Sequence, residues 1–335
     1  MNRRVAIGIV TWNSAAEVAT CLAAVRALTH PDVQVLVVDN ASTDGTREIL
    51  ESSTRPDERA LLDRNVGFSA AHNLAITRTT GDFYLALNPD VRLEPGFLAR
   101  LVDAIESVPR TGSASGKLLR ADDPNRIDST GIFLVPTQRH LDRGAGELDR
   151  GQFERRELIF GPSGAAGLYR RQMLSDVAVD GEVFDEDFFA YREDADLAWR
   201  AQLLGWACVY EPTAVAHHVR RVTPERRAAL PPDLNRMSVR NRFLLRIKNQ
   251  TPNQLVRYLV PTLWRDCQVV GYTLLREHAS LPAFVDVARL LRPMLRKRRV
   301  IMGRRRASDR EMNDWFVRSA RPIGAPPAAT PPRSS

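Results

Sequence analysis

The chain has 335 residues, of which 44% are hydrophobic, 26% charged and 7% aromatic, which excludes a disordered or collagen-like polypeptide and suits one large domain with an appendage, or two modest ones. Its three cysteines, Cys21, Cys208 and Cys267, stand far apart, leaving neither a disulfide framework nor a CxxC zinc pattern. The net charge of +8 is unevenly divided, with 23 Lys/Arg against 32 Asp/Glu in residues 1–218 and 21 against 5 in residues 219–306, so that one of two jobs is expected at a polyanionic surface.

Arg3 and Arg4 lead into Val5-Ala-Ile-Gly-Ile-Val10, a buried strand rather than the long apolar core of a signal peptide. Ala15 to Leu28 carries apolar residues at helical spacing (Val18, Cys21, Leu22, Val25), with Asn13 or Ser14 available as its cap. Val33-Gln-Val-Leu-Val-Val38 predicts a second buried strand and Thr46–Glu51 the start of a second helix. Ser69–Thr79 predicts a third helix, Phe83–Leu87 a third strand, and Pro95 opens a helix running to Val108. This alternation implies an α/β fold, a Rossmann-like, mostly parallel sheet covered by helices, with ligands at the carboxyl ends of the strands.

After Gly112 the pattern loosens, and residues 120–157, rich in Asp, Arg and Gly, are expected as loops or a hairpin. Glu193–Leu204 predicts a helix with Asp196 and Arg200 paired at i, i+4, followed by a short strand, Ala207–Tyr210. Met237–Lys248 is helical and basic, and 253–276 and 282–302 are two amphipathic helices. Residues 320–335, rich in Pro, Ala and Ser, are expected to be disordered. No stretch reaches the roughly 18 uncharged apolar residues of a membrane span.

Four segments carry chemistry. In Val37-Val-Asp-Asn-Ala-Ser-Thr-Asp-Gly-Thr46 a carboxylate at a strand end can accept from a nucleobase N–H or from ribose hydroxyls, or the segment is a polar turn. In Ala86-Leu-Asn-Pro-Asp-Val91, Asp90 stands where an acidic metal ligand would neutralise a diphosphate, or forms a turn. Phe188–Arg200 collects Glu193, Asp194 and Asp196 at a helix start; acids gather there for dipole reasons, and Asp194 beneath a cleft could also take a proton from a hydroxyl. Pro212–His218 ends in two histidines, structural residues or contacts to a metal or phosphate.

Together with Val10-Thr-Trp-Asn13, Asn65-Val-Gly-Phe68 followed by Asn73, Leu87-Asn-Pro-Asp90 and the glycine-rich Gly161–Arg170, these segments resemble the family 2 inverting glycosyltransferases of the GT-A fold, over about residues 5–220. The resemblance implies a nucleotide-diphosphate-sugar donor, Mg²⁺ or Mn²⁺, and inversion at the anomeric carbon. It implies a donor site of Thr11, Asn13, Asp39, Asn65, Gly67, Asn73, Asn88 and Asp90, a metal held by Asp90 and His218 (His217 as the other choice), and Asp194 as general base. One departure is Asn88, which stands at the first acidic position of the Asp-x-Asp metal motif.

The continuation from Arg220 to Asn249 resembles that of bacterial rhamnosyltransferase-like members that build surface polysaccharide, which implies a polysaccharide or polyprenyl-diphosphate-linked acceptor. Arg240–Lys248 is a solvated basic helix or a phosphate contact. Arg292, Arg296, Lys297, Arg298, Arg299, Arg304, Arg305 and Arg306, beside Leu290, Leu291, Met294, Leu295 and Val300, predict an interfacial anchor on the anionic inner face of the cytoplasmic membrane. The division expected is a catalytic domain in 1–250, a basic helical extension in 251–306 and a partly disordered tail in 307–335. Two other readings fit the sequence less well. A sugar nucleotidyltransferase needs a glycine-rich basic loop where Thr11-Trp-Asn-Ser14 stands. An arginine-rich nucleic-acid-binding protein without transferase activity lacks a recognised module, and the acidic first part would repel its partner, so no nucleic acid is expected.

Overall fold

In this computed structural model, which describes residues 3–220 and 232–323, the short Val/Ile/Leu runs become strands covered on both faces. β1 (Val5–Thr11), β2 (Val33–Asp39), β3 (Arg59–Leu61) and β4 (Phe83–Leu87) form a parallel group in the order β3-β2-β1-β4. β5 (Val91–Leu93), β6 (Thr111–Arg120) and β7 (Ile127–Ser129) follow, then a separate hairpin of β8 (Ile132–Leu134) and β9 (His140–Asp142). β10 (Glu157–Ile159), β11 (Ala166–Arg170), β12 (Ala207–His218) and β13 (Ala320–Pro322) complete the main sheet, in which β11 lies antiparallel between β4 and β6, and β6 runs parallel to β12.

Helices cover both faces. α1 (Val18–Arg26), α2 (Thr46–Ser53) and, further on, α4 (Phe97–Ser107) bury Val18, Leu22, Leu50, Leu98 and Leu101 against Ile7, Val37 and Leu85. The opposite face takes α3 (Gly67–Arg78), α5 (Arg171–Val177) and α6 (Glu193–Leu203). The same core receives Leu244 of α7 (Pro232–Asn249) and, past α8 (Pro252–Arg257) and α9 (Leu259–Leu275), Met294 and Ile301 of α10 (Pro282–Gly303). Trp315 and Phe316, just beyond α11 (Asp309–Asp314), join that core as well.

Several sequence expectations need correction. The first helix begins at Val18, not Ala15; Ser14 serves it with its backbone carbonyl, which accepts from Glu17 and Val18, while no side chain caps the helix. Strand β6 fills the stretch where the pattern loosened, and β12 runs past Pro212 to His218 because a bulge between Glu211 and Val215 absorbs the proline. Ala320–Pro322 is an edge strand on β10 rather than disordered chain; residues 324–335 lie outside the described residues.

The two basic segments also differ from expectation. Arg240 donates to the carbonyls of Asp187 and Phe188, Arg242 and Arg246 pair with Asp266, and Lys248 sits 1% exposed between Asp185 and Asp196. These cations are spent on the protein's own oxygens, so this helix is neither a solvated face nor a phosphate contact. In α10, Lys297 is buried among Glu182, Asp185 and Asp187, Arg296 meets Asp180 and Arg298 reaches the Ile247 carbonyl; just past its end, Arg304 donates to the carbonyls of Asp176 and Ala178. Met294 is buried in the core and cannot insert into lipid.

Candidate active site

The parallel strands end at a cleft of about 710 Å³. Its lining includes Asn65, Gly67, Asn88, Asp90, Asp194 and His218, so six of the residues expected from sequence share one cavity. The other four lie behind or beside it. Thr11 and Asp39 are fully buried: the Thr11 hydroxyl donates to Asp39 (2.9 Å), whose carboxylate also accepts from Ser42 and from Arg47 (3.0 Å), so Asp39 holds the turn after β2 together. Asn13, at a φ of 51°, accepts from the Thr43 amide (2.9 Å). Asn73 bonds both the amide and the carbonyl of Phe184, stapling α3 to the segment that precedes α6.

Two glycines are fixed by close approach. Gly67 has a φ of 88°, and a Cβ there would lie 2.6 Å from the Phe189 ring; its amide donates to Asn65 (2.8 Å). A Cβ on Gly164 would meet Asp194 Oδ2 at 3.1 Å, and the bare amide donates to that oxygen instead.

Asp194 sits half-buried in the first turn of α6. It accepts from Gly164 (3.1 Å) and from Ala195 (2.7 Å), yet burial outweighs those bonds and, with the charge of Asp142, pushes its carboxyl up to about 6. The loop that aims it is strained: Phe189, Tyr191 and Arg192 have φ of 64°, 69° and 73°. Asn241 of α7, fully buried, holds this loop, with Nδ2 within 2.9 Å of the carbonyls of Phe188, Ala190 and Tyr191. Behind it Glu193, pushed up to about 8 by burial and by Asp194, is buried, and its Oε2 has no hydrogen-bond partner among the described residues.

Alternation along β12 separates the two histidines. His217 faces Glu94 (3.6 Å) away from the cleft lining, and His218 faces into it. His218 Nδ1 donates to Asp128 (2.7 Å), itself 2% exposed and paired with Arg220 (3.1 Å), and His218 Nε2 lies 3.4 Å from Asp90 Oδ1. Burial opposes charge on the ring, but Asp128 and Asp90 prevail and lift His218 to about 9. Asp90 Oδ1 is buried, and among the described residues its contact is the ion pair with His218 Nε2. A buried carboxylate oxygen facing an imidazole nitrogen that Asp128 orients suits a divalent cation, which would take the place of the Nε2 proton. Among the described residues no three His, Cys, Asp or Glu side chains form a complete cage; two protein ligands fit a metal whose other positions go to phosphate and water.

Sequence reasoning missed Asp128, Asp142, Arg220 and Asn241. Asp142 lies on β9 in the cleft wall, and Arg220 ties it to Asp128. Trp12, within the quoted Thr-Trp-Asn motif, stands 51% exposed at the cleft rim.

Comparison with known proteins supplies the class. Residues 6–178, just over half the chain, match the profile described as "Glycosyl transferase family 2". The chain is also 32% identical, over 238 residues covering 62% of it and 74% of the relative, to N-acetylglucosaminyl-diphospho-decaprenol L-rhamnosyltransferase of Mycobacterium tuberculosis. The protein belongs to glycosyl transferase family 2 and is a glycosyltransferase. Its fold is that of the S. aureus TarS fragment 1–349 in complex with UDP-GlcNAc (TM-score 0.55, 15% identity, 90% of each chain). It is also that of the mannosyltransferase PcManGT from Pyrobaculum calidifontis in complex with GDP-Man and Mn²⁺ (TM-score 0.51, 18% identity, 91% and 86%). The chain spans about half, 54%, of a longer S. aureus TarS chain (TM-score 0.56, 18% identity).

Proposed function

We propose that the chain transfers a sugar, with inversion, from a nucleoside-diphosphate donor to a hydroxyl of a polysaccharide or polyprenyl-diphosphate-linked acceptor at the inner face of the cytoplasmic membrane. The observation that carries this reading is one cleft holding both a carboxylate raised by burial, Asp194, and the buried Asp90–His218 pair. The rhamnosyltransferase named above supports rhamnose as the sugar and a lipid diphosphate as the acceptor's anchor.

In this mechanism the acceptor O–H gives its proton to Asp194 as its oxygen bonds to the anomeric carbon, and the bond from that carbon to the diphosphate breaks. Asp90 and His218 would hold a divalent cation, which would supply charge neutralisation for the departing diphosphate. Asn65, Gly67 and the Trp12 ring frame the donor, and Asn88 offers a neutral amide where a second acid is usual. The arginine-rich nucleic-acid reading is not favoured, since Lys297, Arg296, Arg298 and Arg304 already bind protein oxygens.

The test is calorimetric titration with UDP-, dTDP- and GDP-sugars, with and without Mn²⁺, followed by the anomeric configuration of the product by NMR. A donor that binds and a product of inverted configuration support the reading. Retained configuration removes the single-displacement role of Asp194.

A further inference from the structure

Helix α9 is built inside out. Toward the protein it shows polar groups: Asp266 receives Arg242 (3.2 Å) and Arg246 (2.7 Å) of α7, the Thr262 hydroxyl accepts from Gln138 (3.3 Å), and Thr273 is buried. Away from it α8 and α9 expose Val256 (77%), Val260 (77%), Leu263, Trp264 (68%), Leu274 and Leu275. Spacings of three and four residues, continued by exposed Cys267, set most of these along one stripe. A surface helix of a globular domain has the opposite arrangement, and a contiguous apolar stripe marks a surface with a partner.

Charge identifies the partner. Between Pro252 and Arg276 the charged residues are Arg257, Arg265, Asp266 and Arg276, and the one carboxylate is turned inward onto Arg242 and Arg246. The outward side therefore presents an apolar stripe with a cationic fringe and no carboxylate of its own. A second copy seated there would set arginine against arginine. An anionic bilayer meets the fringe with phosphate and takes the stripe into its acyl boundary. Among the described residues no helix is long and apolar enough to cross a membrane, so the contact lies in the plane of the leaflet.

We propose that the outer face of α8–α9 is the surface by which this protein docks on an anionic membrane. This moves the anchor from the arginine run 292–306, much of which is spent on internal contacts, to a face free to insert. It rests on the reading that the acceptor is membrane-presented, and gives that reading a place on the fold.

The experiment is flotation of the full chain with vesicles of neutral phosphatidylcholine, or of phosphatidylcholine with about one-third phosphatidylglycerol, comparing the parent with the double variant Val260→Glu/Trp264→Glu. Both side chains are exposed, so the variant is expected to keep the parent's melting temperature and donor hydrolysis. The parent should float with the anionic vesicles, and the variant should bind them at least about tenfold more weakly. A variant that floats as well as the parent overturns the surface while leaving membrane attachment through another element intact. A parent that ignores both vesicle types and runs as a dimer split by the double variant overturns it in favour of self-association. If the parent docks through this face but does not glycosylate a lipid-linked acceptor, the acceptor reading fails and the docking surface stands.

Discussion

Replacing Asp194 with Asn removes a negative charge and the ability to take a proton while changing the side chain's size very little. The parent carboxylate accepts one amide on each oxygen, from Gly164 and Ala195; Asn can keep one and must turn an NH₂ toward the other. Against that loss, the group's affinity for its proton is raised in the fold, chiefly by burial, to about 6. A carboxyl whose folded pKa lies above its unfolded one contributes stability that is complete below the unfolded value and is lost as pH rises through about 6. Asn escapes that loss, so the variant's melting temperature at neutral pH should match or exceed the parent's. Turnover behaves in the opposite way. A positioned base contributes about 10²–10⁴ in rate, and the variant should lose that factor in kcat with donor affinity unchanged. In the parent, kcat should fall about tenfold for each pH unit below the pKa of the base, giving an acid limb near pH 6 that the variant lacks. Steady-state rates of nucleoside diphosphate release across the pH range, with calorimetric donor affinities, decide the matter. Near-normal kcat in Asp194→Asn, or an acid limb that persists in it, refutes the assignment and points to Glu193.

Three further perturbations follow from the geometry. Asp128→Ala frees the His218 ring and should weaken Mn²⁺ binding in the presence of nucleoside diphosphate about 10- to 100-fold, read by calorimetry without any turnover; unchanged affinity removes Asp128 from the metal site. Lys248→Met leaves Asp185 and Asp196 buried beside each other with less neutralisation and should cost about 3–5 kcal/mol. Because Lys248 and its neighbours hold both carboxyls below their usual range, the stability they provide is present above the ordinary carboxylate pKa and lost as pH falls, so the variant should also show a flatter acid-denaturation profile; an unchanged melting temperature at neutral pH refutes this account. Asn241→Ala uncovers three carbonyls of the strained loop and should lower kcat more than donor affinity, with a stability loss of about 1–3 kcal/mol; an equal loss in both kinetic terms would indicate general damage rather than misaiming of Asp194.

What the sequence revealed and what it hid divide along physical lines. β1, β2 and β4 are continuous apolar runs, which only a strand covered on both faces requires, and their limits were readable to within a residue. β6 is equally buried but reads Thr-Gly-Ser-Ala-Ser-Gly, because space and not polarity governs it: a Cβ on Gly116 would come within 2.5 Å of Phe97. Small residues chosen for room look like loop. The site divides the same way. Asp90, Asp194 and His218 sit at strand and helix ends inside short motifs. Asp128 is recognisable only through His218, 90 positions later, and Asn241 only through a loop about 50 positions earlier.

Part of the uneven charge distribution is used inside the molecule. An acidic first part and a basic second part suggested a polyanion outside the molecule. The acidic segment 180–187 is instead itself the polyanion: Asp180, Glu182, Asp185 and Asp187 receive Arg296 and Lys297 across 110 or more residues, and Lys248 adds the link from Asp185 to Asp196 in α6. Opposite charge far apart in sequence is thus internal docking, and it binds α7 and α10 to the elements that aim Asp194. Arginine density in a sequence therefore does not by itself mark an external contact. In α9 the one acid, Asp266, pairs with two arginines of α7, an arrangement that turns the apolar side of the helix outward.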